Sequence, residues 1–247
     1  MARESELKRR PRDRLRGQEV VAAIVASCER MVGPSTIETL TSRYLDDDQV
    51  TLGRHGVGLR VRGDRGASET CWTVKIGAVP DARGLAIARE YETLGSWSGV
   101  PGGLSLALRS LGVGLPLVEI ATFDTTRERW LGERGGAELE ICLDVVYVTF
   151  PRRLTFVEIE VESQARDLLR RLVDEIDERF PDVTPSPASK LATALEGSAC
   201  AQVLAKSTSL ALSVDRVEDL GGRLADLLEQ STPIITPWSD AKGGVDQ

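Results

Sequence analysis

The chain has 247 residues, is 41% hydrophobic and 28% charged, and carries a formal net charge of -7. This is the composition of a water-exposed globular protein with one large domain, or a domain plus an appendage. The acidic balance excludes a sequence-blind nucleic-acid binder, and no apolar run is long enough to span a bilayer. The stretch from Arg3 to Arg16 is charged and lacks a signal-peptide core, so the expected location is cytoplasmic. Four scattered cysteines (Cys28, Cys71, Cys142 and Cys200) and a single histidine, His55, argue against a zinc site, a disulfide framework and Ser-His-Asp chemistry.

In chain order, residues 3–10 read as a first strand. Glu4, Glu6 and Lys8 alternate there with Ser5 and Leu7, so the three charges share one face. Two carboxylates a pleat apart suit a hard divalent cation, and a neighbouring ammonium suits a phosphate. Charges at period two are also what a solvated strand face shows. Residues 18–31 have helical apolar spacing, closed by Gly33-Pro34. Thr36 to Tyr44 is a β-branched strand. Asp46-Asp47-Asp48 reads as turn chemistry rather than a cation site. Gly53 to Gly56 continues that loop.

Leu59 to Arg62 is a strand with Arg60 and Arg62 on one face. After a hairpin turn at Gly63 to Ser68, Thr70 to Ile76 pairs back, with Trp72, Val74 and Ile76 opposite Thr73 and Lys75. A loop from Gly77 to Gly84 leads to Ala88–Thr93, which carries Arg89, Glu90 and Glu92. Gly95 to Gly114 reads as a loop with a short helix around Leu104 to Leu111. Leu117 to Arg134 holds two strands' worth of sequence, including Arg127 and Arg129. Ala137 to Val148 alternates Glu138, Glu140, Cys142 and Asp144 against Leu139, Ile141, Leu143 and Val145. Leu154 to Glu162 sets Glu158, Glu160 and Glu162 against Val157, Ile159 and Val161. Residues 164–180 form an amphipathic helix, Pro181 to Pro187 breaks it, and Ser189-Lys190-Leu191 opens another. Asp215 to Gln230 reads as a helix in a C-terminal tail whose last stretch frays.

Several strands therefore carry one apolar and one charged face. The helices need apolar partners, and the charged faces mix acids with bases. A sheet that closes on itself would put the charges inside, the helices outside, and leave no edge. Such a lining is costly unless ions or a polyanion fill it. The chain has only 5 lysines against 26 arginines, and Lys8, Lys75 and Lys190 all fall on these charged stretches.

The ordered set Glu4-x-Glu6-x-Lys8, Tyr44 with Asp46, Gly58-Leu59-Arg60-Val61-Arg62, Trp72-Thr73-Val74-Lys75, Arg89-Glu90-Tyr91-Glu92, Arg127, Glu158-x-Glu160-x-Glu162 and Ser189-Lys190 resembles the CYTH-domain family, the triphosphate tunnel metalloenzymes. The resemblance covers about residues 3–195. It implies an α+β fold: a closed antiparallel eight-stranded β-barrel enclosing a tunnel, with helices packed outside. The expected division is a tunnel domain at 1–196 and a partly disordered helical tail at 197–247.

The resemblance also implies site roles. Glu4, Glu6, Asp144, Glu158 and Glu160 would hold Mg2+ or Mn2+. Lys8, Arg60, Arg62, Lys75, Arg89, Arg127 and Lys190 would bind a triphosphate. Lys8, Glu90 and Glu92 would serve catalysis, the two glutamates by positioning the attacking water. The implied activity is metal-dependent hydrolysis of a linear triphosphate, inorganic triphosphate first, then nucleoside or thiamine triphosphate. The implied partner is thus a small molecule, not nucleic acid or membrane, with a homodimer left open. Two alternatives stand beside it: a class IV adenylate cyclase in the same tunnel, and a non-catalytic polyphosphate- or nucleotide-binding module. With only 4% aromatic residues, the chain offers little for a nucleobase pocket.

Overall fold

A computed structural model describes residues 2–64, 69–76, 81–110, 112–186, 188–198 and 200. Residues 65–68 of the expected hairpin turn, the first half of the loop from Gly77 and the helix expected at Asp215 to Gln230 lie outside these residues.

Eight strands close into one antiparallel barrel. They are β1 (Ala2–Arg10), β3 (Thr36–Asp46), β4 (Val57–Asp64), β5 (Thr70–Ile76), β6 (Leu85–Gly95), β7 (Val118–Arg134), β8 (Ala137–Phe150) and β9 (Leu154–Ser163). The order is β1-β6-β5-β4-β3-β7-β8-β9, and β9 returns to β1. Two short strands lie off this ring: β2 (Arg30–Met31) on β7, and β10 (Thr184–Pro185) on β1. Closure satisfies the backbone donors of both edges, which an open sheet of this length would expose.

Two helix layers cover the apolar outer face. On β1, β8 and β9, α1 (Arg14–Ala26) and α4 (Arg166–Arg179) pack over Leu7, Leu139, Ile141, Leu143, Ile159 and Val161. Val20, Val21 and Ile24 of α1, with Leu168, Leu169, Leu172, Val173 and Ile176 of α4, supply the facing stripes. Gly17 lets α1 come close, since a Cβ there would lie 2.6 Å from Leu143 Cδ1. On the opposite side, α2 (Thr51–Arg54) and α3 (Gly102–Ser110) cover Leu59, Val61, Trp72, Val74 and Tyr91.

The structure departs from the sequence expectations in four places. The first helix starts at Arg14 rather than residue 18, because Asp13 caps it by accepting from Arg16 N at 2.8 Å. Its end is earlier too, and Arg30–Met31 joins the sheet. Val118 to Arg134 is one 17-residue strand, not two; the chain turns back only at Gly135-Gly136. The loop expected at Gly53 contains the end of α2. Here the aspartate run does act as a turn: Asp46 accepts from Asp47, Leu52 and Gly53 N, and Asp47 from Gln49, Thr51 and Gly114 N, all at 2.8–3.1 Å.

Candidate active site

Strand alternation fixes which side chains line the lumen. β1 sends in Glu6, Lys8 and Arg10; β4 sends Arg60 and Arg62; β5 sends Thr73 and Lys75. β6 contributes Glu90 and Glu92, β7 Arg127 and Arg129, β8 Cys142 and Asp144, and β9 Glu158, Glu160 and Glu162. The backbone at Lys8 is held from two sides. Its N–H donates to Gly84 O at 2.8 Å, and its carbonyl accepts from Ser186 N at 3.1 Å. Gly84 has φ +78°, and a Cβ there would sit 2.4 Å from Lys8 O, so only glycine permits this contact.

The acids and bases form one ion-pair lattice. Lys8 Nζ lies 2.7 Å from Glu160 Oε1 and 3.3 Å from Glu6 Oε2. Lys75 Nζ lies 2.6 Å from Glu90 Oε1 and 3.1 Å from the same Glu6 oxygen. Arg127 donates Nε and Nη2 to the two Asp144 oxygens, both at 2.8 Å, and Nη2 also to Glu160 Oε2 at 2.7 Å. Lys190, the first residue of α5 (Lys190–Leu195), lies 2.8 Å from Glu158, 3.0 Å from Asp144 and 3.1 Å from Glu160. An ammonium has three donors, and three carboxylates surround this one. Ser189 caps α5 by accepting from Ala192 N at 3.1 Å, which sets where Lys190 starts.

These contacts outweigh burial. Burial opposes charge on every one of these groups. Even so, Arg127 and Lys190 hold the Asp144 carboxyl down at about 2. Lys190, Lys8 and Arg127 hold Glu160 well below the carboxylate range. Against its own burial, Lys8 is held well above the usual lysine value by Glu160, Glu6 and Glu158.

The wall formed by β4 is different. Arg60 Nη2 donates to Thr73 Oγ1 at 3.2 Å and has Glu92 only at 4.0 Å. Arg62 Nε donates to Ser42 Oγ at 3.4 Å, and among the described residues no carboxylate pairs with it. Burial, then the neighbouring charges of Arg60 and Arg127, push the Arg62 guanidinium down to about 10. The lumen thus has an acid-rich side and, on β4, an arginine that pairs with no carboxylate among the described residues.

The carboxylate oxygens that gather most tightly belong to Glu6, Glu160 and Glu162, all within 4.8 Å of one another. Glu6 is 1% exposed, and its Oε1 has no hydrogen-bond partner. Three hard oxygen donors, one of them buried and unpaired, fit a divalent cation of the Mg2+ or Mn2+ type.

Of the residues expected in the site, Glu6, Lys8, Arg60, Arg62, Lys75, Glu90, Glu92, Arg127, Asp144, Glu158, Glu160 and Lys190 share the lumen. Glu4 stands two positions before Glu6 on β1, opposite Ala88. Arg89 is a correction. It is exposed, and alternation turns it away from Glu90 and Glu92 to the outer face. Asp144 and Glu158, expected beside the metal, are instead engaged by Arg127 and Lys190, and Glu162 joins Glu6 and Glu160 in the tight group. Arg10 and Ser186 were missed. Arg10 continues the Glu6, Lys8 alternation, which is signal enough to find it. Its Nη2 reaches Ser186 Oγ at 3.4 Å, and Ser186 Oγ donates to Glu158 at 2.9 Å. Ser186 comes from a proline-rich break and gives no such signal.

Barrel and lumen together define a protein of the closed-tunnel type, with opposed acidic and basic walls inside an antiparallel eight-stranded barrel. The chain belongs to the CYTH-domain family, whose model matches residues 22–195. The matched segment begins after β1, so Glu6 and Lys8 lie ahead of it; the pairing of β1 with β6 and β9 brings them into the lumen. Two solved structures share the fold. One is HpAC1 from Hippeastrum, a candidate adenylyl cyclase described as having a dominant triphosphatase activity: 16% identity, TM-score 0.56, covering 79% of this chain and 96% of that one. The other is a candidate adenylate cyclase from Bacillus halodurans: 20% identity, TM-score 0.53, covering 77% and 97%. A search of curated proteins finds no match.

Proposed function

We propose that the protein hydrolyses a linear triphosphate in this lumen with a bound divalent cation, inorganic triphosphate being the first candidate substrate. One observation carries the reading: Arg62 lies in the lumen wall beside Arg60 and, among the described residues, is paired with no carboxylate. An arginine held in that way calls for an anion from outside, and a planar guanidinium grips phosphate oxygens in pairs. Arg60, Arg62 and Lys75 meet the phosphates from the β4–β5 wall. Glu6, Glu160 and Glu162, with Glu4 ahead of them on β1, would hold the cation. The cation supplies charge neutralisation at the phosphoryl oxygens.

The remaining chemistry falls to side chains of the chain. Arg127 and Lys190 keep Asp144, Glu158 and Glu160 ionised side by side. Glu92 and Glu90 stand on β6, next to Thr73 and Lys75 of β5, and orient water toward the terminal phosphorus. The new P–O bond forms to that water, the bridging P–O bond breaks, and orthophosphate and diphosphate leave. A class IV cyclase would instead need room for a nucleobase. Among the described residues the lumen aromatics are already engaged: Tyr44 stacks on Phe123 at 5.1 Å between centroids, and Phe156 lies under Arg10.

The test is a product assay over tripolyphosphate, nucleoside triphosphates and thiamine triphosphate, with Mg2+ and Mn2+ compared. Phosphate release without cyclic AMP is expected. Cyclic AMP as the main product would establish the cyclase. Binding with no product at all would establish a recognition module.

A further inference from the structure

One row of the barrel wall holds an arginine and a glutamate that do not close on each other. Across β4, β5 and β6 the register sets Arg60 beside Thr73 and Thr73 beside Glu92, all three facing the lumen. Arg60 Nη2 and Glu92 Oε1 stay 4.0 Å apart. Thr73 stands between them. Its Oγ1 accepts from Arg60 Nη2 at 3.2 Å and donates to Glu92 Oε1 at 3.2 Å. Cys71 Sγ lies beside the same hydroxyl at 3.8 Å. A hydroxyl has one donor and two lone pairs, so this one has little left to offer. Thr73 is 1% exposed, and its branched Cβ leaves χ1 little freedom.

Elsewhere in the lumen such pairs do close. Arg127 grips both Asp144 oxygens at 2.8 Å, and in the row next to Thr73 the Lys75 ammonium reaches Glu90 at 2.6 Å. Those groups neutralise each other. In the Thr73 row each partner keeps unused capacity. Among the described residues the buried Arg60 Nε has no hydrogen-bond partner. The Glu92 side chain is 31% exposed, so its carboxylate meets water.

We propose that Thr73 is a positioning residue that keeps Arg60 and Glu92 from closing into an ion pair, so that the arginine stays free to grip phosphate and the glutamate to orient water. Resting on the proposed triphosphate site, this assigns how two of its working groups are held apart. A guanidinium and a carboxylate this close otherwise form a two-pronged pair, as Arg127 and Asp144 do. That pair would withdraw a phosphate donor and a water acceptor at once. The Thr73 hydroxyl satisfies one donor of Arg60 and one oxygen of Glu92, and leaves the rest of each group available. A valine has the same shape and lacks the bridge, so the two charged ends would turn to each other past its methyl groups.

The experiment compares the wild-type full chain with Thr73→Val, Thr73→Ser and the double variant Thr73→Val/Glu92→Gln. Tripolyphosphate binding with Mg2+ is read by calorimetry, turnover by phosphate release, and stability by melting of the ligand-free protein. Thr73→Val is expected to bind tripolyphosphate about 10-fold more weakly, because a charged hydrogen bond must first be broken. Its kcat is expected to fall by at least about 10-fold, while it melts at or above the wild-type temperature. Thr73→Ser keeps the hydroxyl and is expected to restore both binding and kcat. The double variant is expected to regain wild-type binding, because the carboxylate that captures Arg60 is gone, and to stay slow. A Thr73→Val protein that melts lower than wild type, or does not fold, would show a structural strut and overturn the inference. Unchanged binding and kcat in Thr73→Val, a serine variant no better than the valine one, or a double variant that binds as weakly as Thr73→Val would each overturn it too. Failure of the wild-type chain to bind or cleave tripolyphosphate would instead strike the proposed function on which the inference rests.

Discussion

Glu6 and Lys75 meet in the lumen at 3.1 Å, through the same Glu6 oxygen that Lys8 approaches at 3.3 Å, while the other oxygen stays unpaired. Both ammonium groups are therefore engaged by a carboxylate that a cation would need. A metal ion arriving alone would strand Lys8 and Lys75 without a counter-charge. A triphosphate arriving alone would draw these lysines off and leave Glu6 and Glu160 exposed to each other. Together the two ligands resolve both problems. Mg2+ and tripolyphosphate are thus expected to bind cooperatively, with a coupling of ~1–3 kcal/mol. Thermal melts with each ligand alone and with both would show it as a joint shift larger than the sum. Equal metal affinity with and without triphosphate would refute the exchange. Glu6→Gln should keep the fold, lose the joint shift and lose turnover.

Arg62 and Arg127 should respond to truncation in opposite ways. Arg127 neutralises Asp144, which is 0% exposed, and its removal leaves a buried carboxylate with less compensation. Arg127→Ala is expected to destabilise the empty protein by about 3–5 kcal/mol. Among the described residues Arg62 makes no ion pair with a carboxylate, and it sits beside two other arginines. Arg62→Ala should leave the empty protein as stable as wild type, or more so, yet weaken tripolyphosphate binding by ~2–4 kcal/mol. Denaturant melts combined with calorimetry separate the two. If Arg62→Ala costs stability and leaves binding intact, the arginine has a structural role and the phosphate wall is misplaced.

These pairings mark the boundary of what alternation alone conveys. Period two is a local property of the strand, so it identified Arg60, Arg62, Lys75, Glu158 and Glu160 as facing one way. Applied strictly, it also excludes Arg89, which cannot share a face with its neighbours Glu90 and Glu92. Which acid meets which base is set by register across strands far apart in sequence, and the chain does not announce that. Lys190 is an example: it reads as one more phosphate-binding lysine, and only the docking of α5 shows its ammonium ringed by three carboxylates. The apolar cluster under α5 was illegible for the same reason. Val146, Val148 and Phe156 come together under α5 only when the barrel closes.

The domain boundary can be tested directly. Every described lumen residue and all of α5 precede residue 197, and Cys200 still packs against the apolar cluster under α5. A chain ending at residue 201 is therefore expected to fold, melt cooperatively and bind tripolyphosphate with Mg2+ as the full chain does. Insoluble expression, or loss of more than about 2 kcal/mol of stability, would show that the remaining residues complete the core or an interface between copies.

The last expectation concerns acid. In the folded protein Asp144 titrates at about 2 and Glu160 lies well below the carboxylate range, whereas in the unfolded chain such groups titrate near ~4. The unfolded state therefore binds more protons in the interval between. Stability from these carboxylates is fully present above the unfolded values and drains away as pH falls through the folded ones, from about pH 5 down to about pH 2. Lys8 and Lys190 are raised, so their contribution holds below the unfolded lysine value of about 10.4 and is lost only at higher pH. The stability contributed by these four groups should thus be fully present between ~pH 5 and ~pH 10. Asp144→Asn removes one titrating group from the acid limb, and the slope of unfolding free energy against pH should flatten there by up to ~1.4 kcal/mol per pH unit. The variant will also be less stable at neutral pH, because Arg127 and Lys190 lose a partner; the slope, not the absolute value, is the readout. Denaturant melts at a series of pH values from 2 to 7 give it for both proteins. An unchanged slope would mean that Asp144 does not take up its proton in that interval, and that acid unfolding is governed elsewhere in the lattice.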